Sequence, residues 1–225
     1  MIHTAFKDID QLLIDECIKD ILDLDKIKTL IADGADINAF DTEYEQELYD
    51  SILDYYIDHK EDQLNLSNLL QVTQLFIENN LSLNQKPEDC DYFLLRRFRF
   101  LPPDKICVDI FIMLLERGTF TSEDLDNMID DCTLDLHLGE FYFYELTQYS
   151  KEDSIKYYLE LIYWSCAYNV KTYPEKCSED VLQFNWFERE KNRIEIISEN
   201  RSTSVFVEDL ETHQRAEIQG WTMKY

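Results

Sequence analysis

Apolar side chains recur at helical spacing along most of the chain. Three- and four-residue steps, which place side chains on one face of a helix, mark residues 8–22, 26–33, 48–59, 88–100, 104–117, 121–136 and 151–168. The chain has four glycines and four prolines, too few for a sandwich or barrel that turns about every ten residues. The pattern therefore predicts a mainly α protein.

Polar residues at the ends of these segments predict where several helices begin. Asp23 or Asp25 is placed to cap the second helix. Pro87 and Pro103 suit first-turn positions, where the missing N–H of proline costs nothing. The last long helix is predicted to begin after Ser150, with an inward stripe of Ile155, Tyr158, Leu159, Ile162 and Cys166.

Beyond about residue 180 the period changes from helical to alternating. Residues 193–198, 203–208 and 216–221 are rich in β-branched side chains and separated by polar turns, which predicts a small three-stranded antiparallel β-meander. Such a sheet is too small to be stable alone and is expected to dock on the helices through Phe206 and Trp221. The predicted domains are therefore a helical array over 1–180 and the meander over 181–225.

One segment resembles a known repeat. In residues 27–41 an amphipathic helix ends in Gly34-Ala35-Asp36-Ile37-Asn38, which resembles the second-helix half of an ankyrin repeat. Residues 74–84 repeat the pattern with Asn80 in place of the glycine, and residues 112–120 repeat it with Gly118. The resemblance implies stacked antiparallel helical hairpins, an ankyrin-like solenoid whose turns use Gly34, Ala35, Asp36, Asn38, Asn80 and Gly118.

The repeats are irregular. Gly34 and Asn80 are 46 residues apart and Asn80 and Gly118 are 38 apart, against roughly 33 for a regular ankyrin unit. The Thr-Pro-Leu-His signature of the first helix is missing in every unit. From this resemblance we predict paired helices stacked into a curved layer over about residues 5–120.

The charge is strongly negative and uneven. The chain has 47 acidic and 21 basic side chains and a net charge of −26. Residues 1–60 hold 16 acids and 5 bases (−11), and residues 121–180 hold 14 and 4 (−10). A field of this sign repels nucleic acid and anionic membranes and speeds encounter with basic partners. The alternative interpretation is that the acidity only keeps the protein soluble.

Neither an export signal nor a membrane-spanning run is visible. The N-terminus lacks a basic region followed by an apolar run, and no uncharged apolar stretch is long enough to cross a bilayer. The six cysteines are dispersed without a C-x-x-C pair. We expect a cytoplasmic protein with reduced, largely buried thiols.

No pattern predicts catalysis or a cofactor. Asp131 and Asp135 share a helical face near His137, but the other histidines have no metal-ligand spacing, and acids four apart recur by chance in so acidic a chain. The chain also lacks G-x-S-x-G, G-x-G-x-x-G and P-loop sequences. We expect no metal, no cofactor and no enzyme activity.

Two clusters have alternative interpretations. The basic cluster 96–100 (Arg-Arg-Phe-Arg-Phe) could stack on a nucleobase or grip a phosphate, but the net charge favours arginines that neutralise nearby acids while the phenylalanines pack. The aromatic run from Phe141 to Tyr173 suits the core in part and a binding face in part. The predicted partner-binding residues are Asp41, Glu43, Tyr44, Glu45, Glu47, Tyr142 and Tyr144.

Three functions compete. The first is a non-enzymatic protein–protein interaction scaffold that binds a basic protein, in its sharpest form an immunity or antitoxin protein that blocks a cationic toxin. The second is an acidic DNA mimic that inhibits DNA-binding proteins. The third is a hydrolase on a helical scaffold, which no motif supports.

Overall fold

The fold is mainly α. The computed structural model describes residues 6–41, 46–58, 65–83, 94–118, 120–138, 149–173, 194–198, 205–209, 214–219 and 222–224. The chain divides into two compact units, Met1–Phe120 and Thr121–Tyr225. The predicted domain boundary near residue 180 lies outside the described residues.

The first unit is built from helices in close succession. These are α1 (Asp8–Cys17), α2 (Leu24–Ala32), α3 (Leu48–Asp58), α4 (Leu66–Glu78), a 3₁₀ helix (Leu94–Phe100) and α5 (Lys105–Arg117). Helix α1 packs on α2, α3 and α4, helix α4 packs on α5, and the 3₁₀ helix contacts α3 and α5. The largest fully buried rings of this core belong to Tyr49, Phe76, Phe98, Phe111 and Phe120.

A hydrogen-bonded pair lies inside this core. The Tyr49 hydroxyl of α3 is 2.6 Å from Thr73 Oγ1 of α4, and Thr73 Oγ1 donates to the Leu69 carbonyl at 2.7 Å. Because the threonine proton is used on Leu69, the tyrosine is the donor to Thr73. Burial raises the pKa of Tyr49, so its proton stays in place for this bond.

Helices α2 and α4 end in the same turn. Gly34 has φ +105° and Asn80 has φ +64°, both in the left-handed region. After α2, Ala35 N–H bonds to Leu30 O at 3.0 Å and Gly34 N–H bonds to Ile31 O at 3.1 Å; after α4, the equivalent bonds are Leu81 to Phe76 at 2.9 Å and Asn80 to Ile77 at 3.2 Å. This double closure is the Schellman motif. The left-handed ends expected at Gly34 and Asn80 are therefore present.

Gly118 differs from the other two predicted turn residues. It has φ −78° and ψ 162°, an extended conformation that any residue adopts, and its N–H bonds only to Leu114 O. The ring of Phe120 lies where a Cβ on Gly118 would stand. The prediction of a third left-handed repeat turn at Gly118 is therefore wrong. The missing Cβ of this glycine leaves room for the Phe120 ring, and the residue does not close a left-handed cap.

Two predicted helices differ from the sequence pattern in the residues that the structure describes. Helix α1 ends at Cys17, five residues before the predicted end at 22. Beyond it, the Asn68 side chain of α4 donates to the carbonyls of Lys19 and Asp20 at 3.2 and 3.0 Å, which gives them partners outside a helix. The predicted helix 88–100 is described only from Leu94, where it is 3₁₀ rather than α.

A short hairpin that the sequence analysis did not predict follows the first turn. Strands β1 (Phe40–Asp41) and β2 (Gln46–Glu47) pair antiparallel, with Phe40 opposite Glu47 and Asp41 opposite Gln46. The chain thus returns on itself between α2 and α3, and α3 begins directly after β2.

The second unit contains the two longest helices, α6 (Ser122–Leu138) and α7 (Lys151–Thr172), which pack on each other. Ser150 caps α7 as predicted, because its Oγ accepts from Asp153 N–H at 3.1 Å. The predicted inward stripe of α7 is wrong in its second half. Ile162 and Cys166 are half-buried, whereas Leu161 and Ser165 are fully buried.

The C-terminal strands are β3 (Ile194–Ser198), β4 (Val205–Asp209), β5 (Gln214–Gln219) and β6 (Thr222–Lys224). They pair antiparallel in chain order, with Ile196 opposite Val207 and Ile218 opposite Met223. Trp221, and the side chain of Phe206, lie outside what the structure describes, so docking of these strands on the helices stays a prediction.

Candidate partner-binding surface

The repeat turns after α2 and α4 are joined by one side chain. Asn38 Nδ2 donates to Asn80 O at 3.2 Å, and Asn38 Oδ1 accepts from Ser82 N–H at 2.7 Å. Asp36 supports this arrangement, since its Oδ1 accepts from Asn38 N–H at 3.0 Å. The turn is also tied to the start of α1, where the buried Asp10 accepts from Asp36 N–H at 2.8 Å. Asp36 and Asn38 therefore stabilise the stack of turns.

The surface of α1, α2 and their connecting turns is strongly acidic. Lys19 and Lys26 both bind the buried Glu16, at 2.7 and 2.8 Å, and these bonds lower the pKa of that carboxyl. Two of the four lysines in this region, Lys19 and Lys26, are therefore paired with a buried carboxylate and do not neutralise the exposed ones. The exposed carboxylates that remain belong to Asp8, Asp15, Asp20, Asp23, Asp25, Asp33 and Asp36.

Two predicted partner-binding residues are not on the surface. Asp41 in β1 and Glu47 in β2 are each 4% exposed. Carboxylates buried to this extent are not part of the exposed acidic surface, and the assignment of binding to Asp41 and Glu47 stays a prediction. Neither the hairpin nor the burial of these two carboxylates was predicted from the sequence. The predicted residues Glu43, Tyr44, Glu45, Tyr142 and Tyr144 lie outside the described residues.

A charge cluster ties α3 to the 3₁₀ helix. Asp50, which is fully buried, accepts from Arg97 Nε at 3.1 Å. The same guanidinium reaches Asp54 at 3.2 Å, and Gln46 Nε2 donates to Asp54 at 2.6 Å. Burial and the charge of Asp50 raise the pKa of Asp54 to about 6, although Arg97 and Gln46 oppose the shift.

This cluster has some features of acid–base chemistry but is better explained as a structural contact. Two neighbouring carboxylates, one of them with a raised pKa, are typical of catalytic pairs. Here, however, one guanidinium contacts both Asp50 and Asp54, which places a positive charge where a substrate would need to reach them. The prediction that the basic cluster neutralises acids while its rings pack is confirmed for Arg97 and for Phe98, which is fully buried 5.1 Å from Phe111.

Helix α6 carries six acids and no lysine or arginine. The centre of its buried face is apolar, with Leu125, Met128 and Cys132 at 0% exposure, and Asp124 and Asp135 are also buried, at 5% and 4%. On the opposite face Glu123, Asp126 and Asp130 are exposed and make no ion pair with any residue that the structure describes. The same face continues to Leu134 and Leu138, which are 53% and 54% exposed. This face was not predicted from the sequence, although the three- and four-residue spacing of its positions is visible in the chain.

In the α6–α7 contact, the hydrogen-bond partner of Asp126 is a neutral amide and not a cation. Asn169 Nδ2 donates to Asp126 Oδ1 at 2.9 Å, and Ser122 Oγ donates to Asn169 Oδ1 at 2.9 Å. Burial and the nearby Asp130 raise the pKa of Asp126, and burial and Asp131 raise the pKa of Asp130. These carboxylates are therefore ionised at a cost that a cation would reduce.

The described residues offer no metal centre, since no group of three or more His, Cys, Asp or Glu among them could hold an ion. Asp131 and Asp135 lie on α6, with Asp135 4% exposed, and the side chain of His137 is outside the described part. Burial raises the pKa of Cys17 to about 12 and also raises that of Cys107, so neither thiol is a nucleophile at neutral pH.

Part of the aromatic run belongs to the core. Tyr157, Tyr158 and Tyr163 of α7 are 3%, 2% and 6% exposed. Trp164 is half-buried and donates through Nε1 to Glu160 at 3.0 Å. The part of the predicted binding face that remains open to test is the segment around Tyr142 and Tyr144.

Comparison of the chain with known protein families, with curated proteins and with solved structures finds no match. Within the described helices, none is long and apolar enough to cross a membrane.

Proposed function

We propose that the chain is a non-enzymatic interaction scaffold whose acidic surface binds a basic protein, in the manner of an immunity protein that neutralises a cationic toxin in the cytoplasm. One observation carries the proposal. The exposed carboxylates of α1, α2 and α6 are in excess, while Lys19 and Lys26 are used on the internal Glu16. A cationic partner would supply the missing countercharge, and the field would speed its approach.

The proposed scaffold is an ankyrin-like array of helical hairpins in the first unit. The equal Schellman turns after α2 and α4 and the bridge from Asn38 to Asn80 and Ser82 support it, since stacked repeats need equivalent turns in register. The C-terminal strands are proposed to dock on other parts of the protein, because a small sheet alone is marginal in water.

The experiment is capture with the tagged full chain as bait. A lysate is passed over it at about 0.05 M and about 0.5 M salt, across which the Debye length falls several-fold. We expect one basic protein to be enriched at low salt and reduced at high salt. Enrichment of several unrelated DNA-binding proteins would indicate a DNA mimic instead. Capture of no basic protein, or capture that is indifferent to salt, would overturn the proposal.

A further inference from the structure

The exposed face of α6 combines charge and apolar surface in a fixed order. We call Glu123, Asp126, Asp130, Leu134 and Leu138 the α6 stripe. At 100° per residue these five positions fall within an arc of about 120°, and they extend along about 22 Å of the helix. Carboxylates occupy the N-terminal half of the stripe and leucines the C-terminal half.

The leucines are unusual for this surface. Scattered exposed apolar residues need no explanation, but these two lie one turn apart on one face, and each is more than half exposed. The apolar side chains that hold α6 in the unit, among them Leu125, Met128 and Ile129, are on the opposite face. Packing of α6 therefore does not require Leu134 or Leu138.

The carboxylates are also not explained by local structure alone. Glu123 lies in the first turn, where an acid is favoured by the helix dipole. Asp130 has no such benefit, and burial and the like-charged Asp131 both raise its pKa. The hydrogen bond that Asp126 accepts comes from the neutral Asn169.

The geometry points to the α6 stripe as the docking site for a basic amphipathic segment of the partner, one that sets lysine or arginine against Asp126 and Asp130 and an apolar side chain between Leu134 and Leu138. This inference rests on the proposed function and assigns it a surface. Charge selects the occupant: nucleic acid and anionic lipid are repelled, and a second copy of the chain brings a further net charge of −26. A cationic helix lying on the stripe meets both halves at once.

The test uses a fluorescent synthetic peptide about four turns long, with lysines on one half of a helical face and leucines on the other, titrated with the full chain. A scrambled peptide of the same composition reports on charge alone. The variants are Asp126→Asn with Asp130→Asn, and Leu134→Ser with Leu138→Ser. The matched controls are Glu78→Gln with Glu116→Gln, which remove the same charge from exposed sites on α4 and α5, and Leu12→Ser, at a leucine that is 55% exposed.

We expect each α6 pair to weaken binding of the ordered peptide by about tenfold or more, while the controls change it less than about twofold. Circular dichroism confirms that each variant is folded. Equal losses for the α6 aspartate pair and for the Glu78→Gln with Glu116→Gln control, or no loss for the leucine pair, would overturn the docking site but leave a salt-sensitive acidic scaffold in place.

Two further outcomes also decide against the site. If the ordered peptide binds no better than the scrambled one, the stripe does not read an amphipathic segment. If Leu134→Ser with Leu138→Ser converts a dimer to a monomer in sedimentation, the occupant is a second copy. In both cases the lysate capture, which does not depend on the stripe, still decides the proposed function.

Discussion

The side chain of Asn38 hydrogen-bonds to the backbone of Asn80, 42 residues later, with Nδ2 3.2 Å from the Asn80 carbonyl oxygen. The same side chain accepts from Ser82 N–H at 2.7 Å. Asn80 is the left-handed residue that closes α4, as Gly34 closes α2. One amide therefore holds two equivalent turns together.

Replacing Asn38 with alanine removes both bonds and is expected to lower the free energy of unfolding by about 1–2 kcal/mol. The measurement is urea denaturation followed by circular dichroism. Asn65→Ala is the matched control, because Asn65 precedes α4 without a side-chain capping bond. Equal effects of the two substitutions would contradict a specific role for the bridge.

Substitutions at the two left-handed turn residues, Gly34 and Asn80, are expected to lower the free energy of unfolding by different amounts. Gly34→Ala is expected to cost about 1 kcal/mol from the backbone alone, since a Cβ there meets nothing within 4 Å but φ is +105°. Gly34→Asn is expected to cost less, and Asn80→Gly almost nothing. Thermal denaturation of the three variants is the measurement. A Gly34→Ala variant as stable as the parent would show that the left-handed turn is not formed.

The hydrogen bond between Tyr49 and Thr73 predicts that removing the acceptor lowers the free energy of unfolding more than removing the donor does. Tyr49→Phe leaves Thr73 its bond to Leu69 O, and is expected to cost about 1 kcal/mol. Thr73→Val leaves a fully buried phenol without an acceptor and is expected to cost about 2 kcal/mol. Denaturation of both single variants and the double variant measures the coupling. A larger loss for Tyr49→Phe would reverse the assigned donor and acceptor.

The cluster of Asp50, Asp54 and Arg97 predicts that the free energy of unfolding depends on pH through the titration of Asp54. Its pKa is raised in the folded state to about 6, so the protonated form favours folding. The stability that this group contributes is present below about pH 4 and is lost as the pH rises through about 6. Asp50, Asp58, Arg97 and Gln46 face Asp54 and are left unchanged.

Asp54→Asn is expected to remove that loss, so that its unfolding midpoint in urea falls less than the parent's between pH 4 and pH 6. The comparison of the two proteins cancels the other carboxylates. Asp50→Asn is the contrasting variant, since it weakens the ion pair between the fully buried Asp50 and Arg97, whose side chain is 33% exposed, and is expected to cost about 2 kcal/mol at neutral pH. Parallel pH profiles for the parent and Asp54→Asn would contradict the raised pKa.

Local features were predictable from the sequence because their causes are local. The cap at Asp23, whose carboxylate accepts from Lys26 N–H at 3.0 Å, and the Schellman turn at Gly34 depend on residues within one helical turn. Ser150 at the start of α7 is a third example. Helix type and position over most of the described chain followed from the same short-range pattern.

Long-range partners were not predictable. Arg97 is 47 residues from Asp50, and only the fold shows that this acid is internal. Gly118 resembled Gly34 in sequence, yet the neighbouring Phe120 ring gave it another role. The α6 stripe could not be predicted from helical spacing alone, because the sequence does not show which face of α6 packs on α7.

The most direct test of the central claim is the rate at which the captured basic protein associates with the full chain as salt is raised. The account predicts that the rate constant falls at least about tenfold between about 0.05 M and about 0.5 M salt. It also predicts that Asp126→Asn with Asp130→Asn slows association at low salt more than Asp15→Asn with Asp25→Asn. An association rate that is indifferent to salt and to all four aspartates would contradict the claim that the exposed carboxylates of these helices bind the partner.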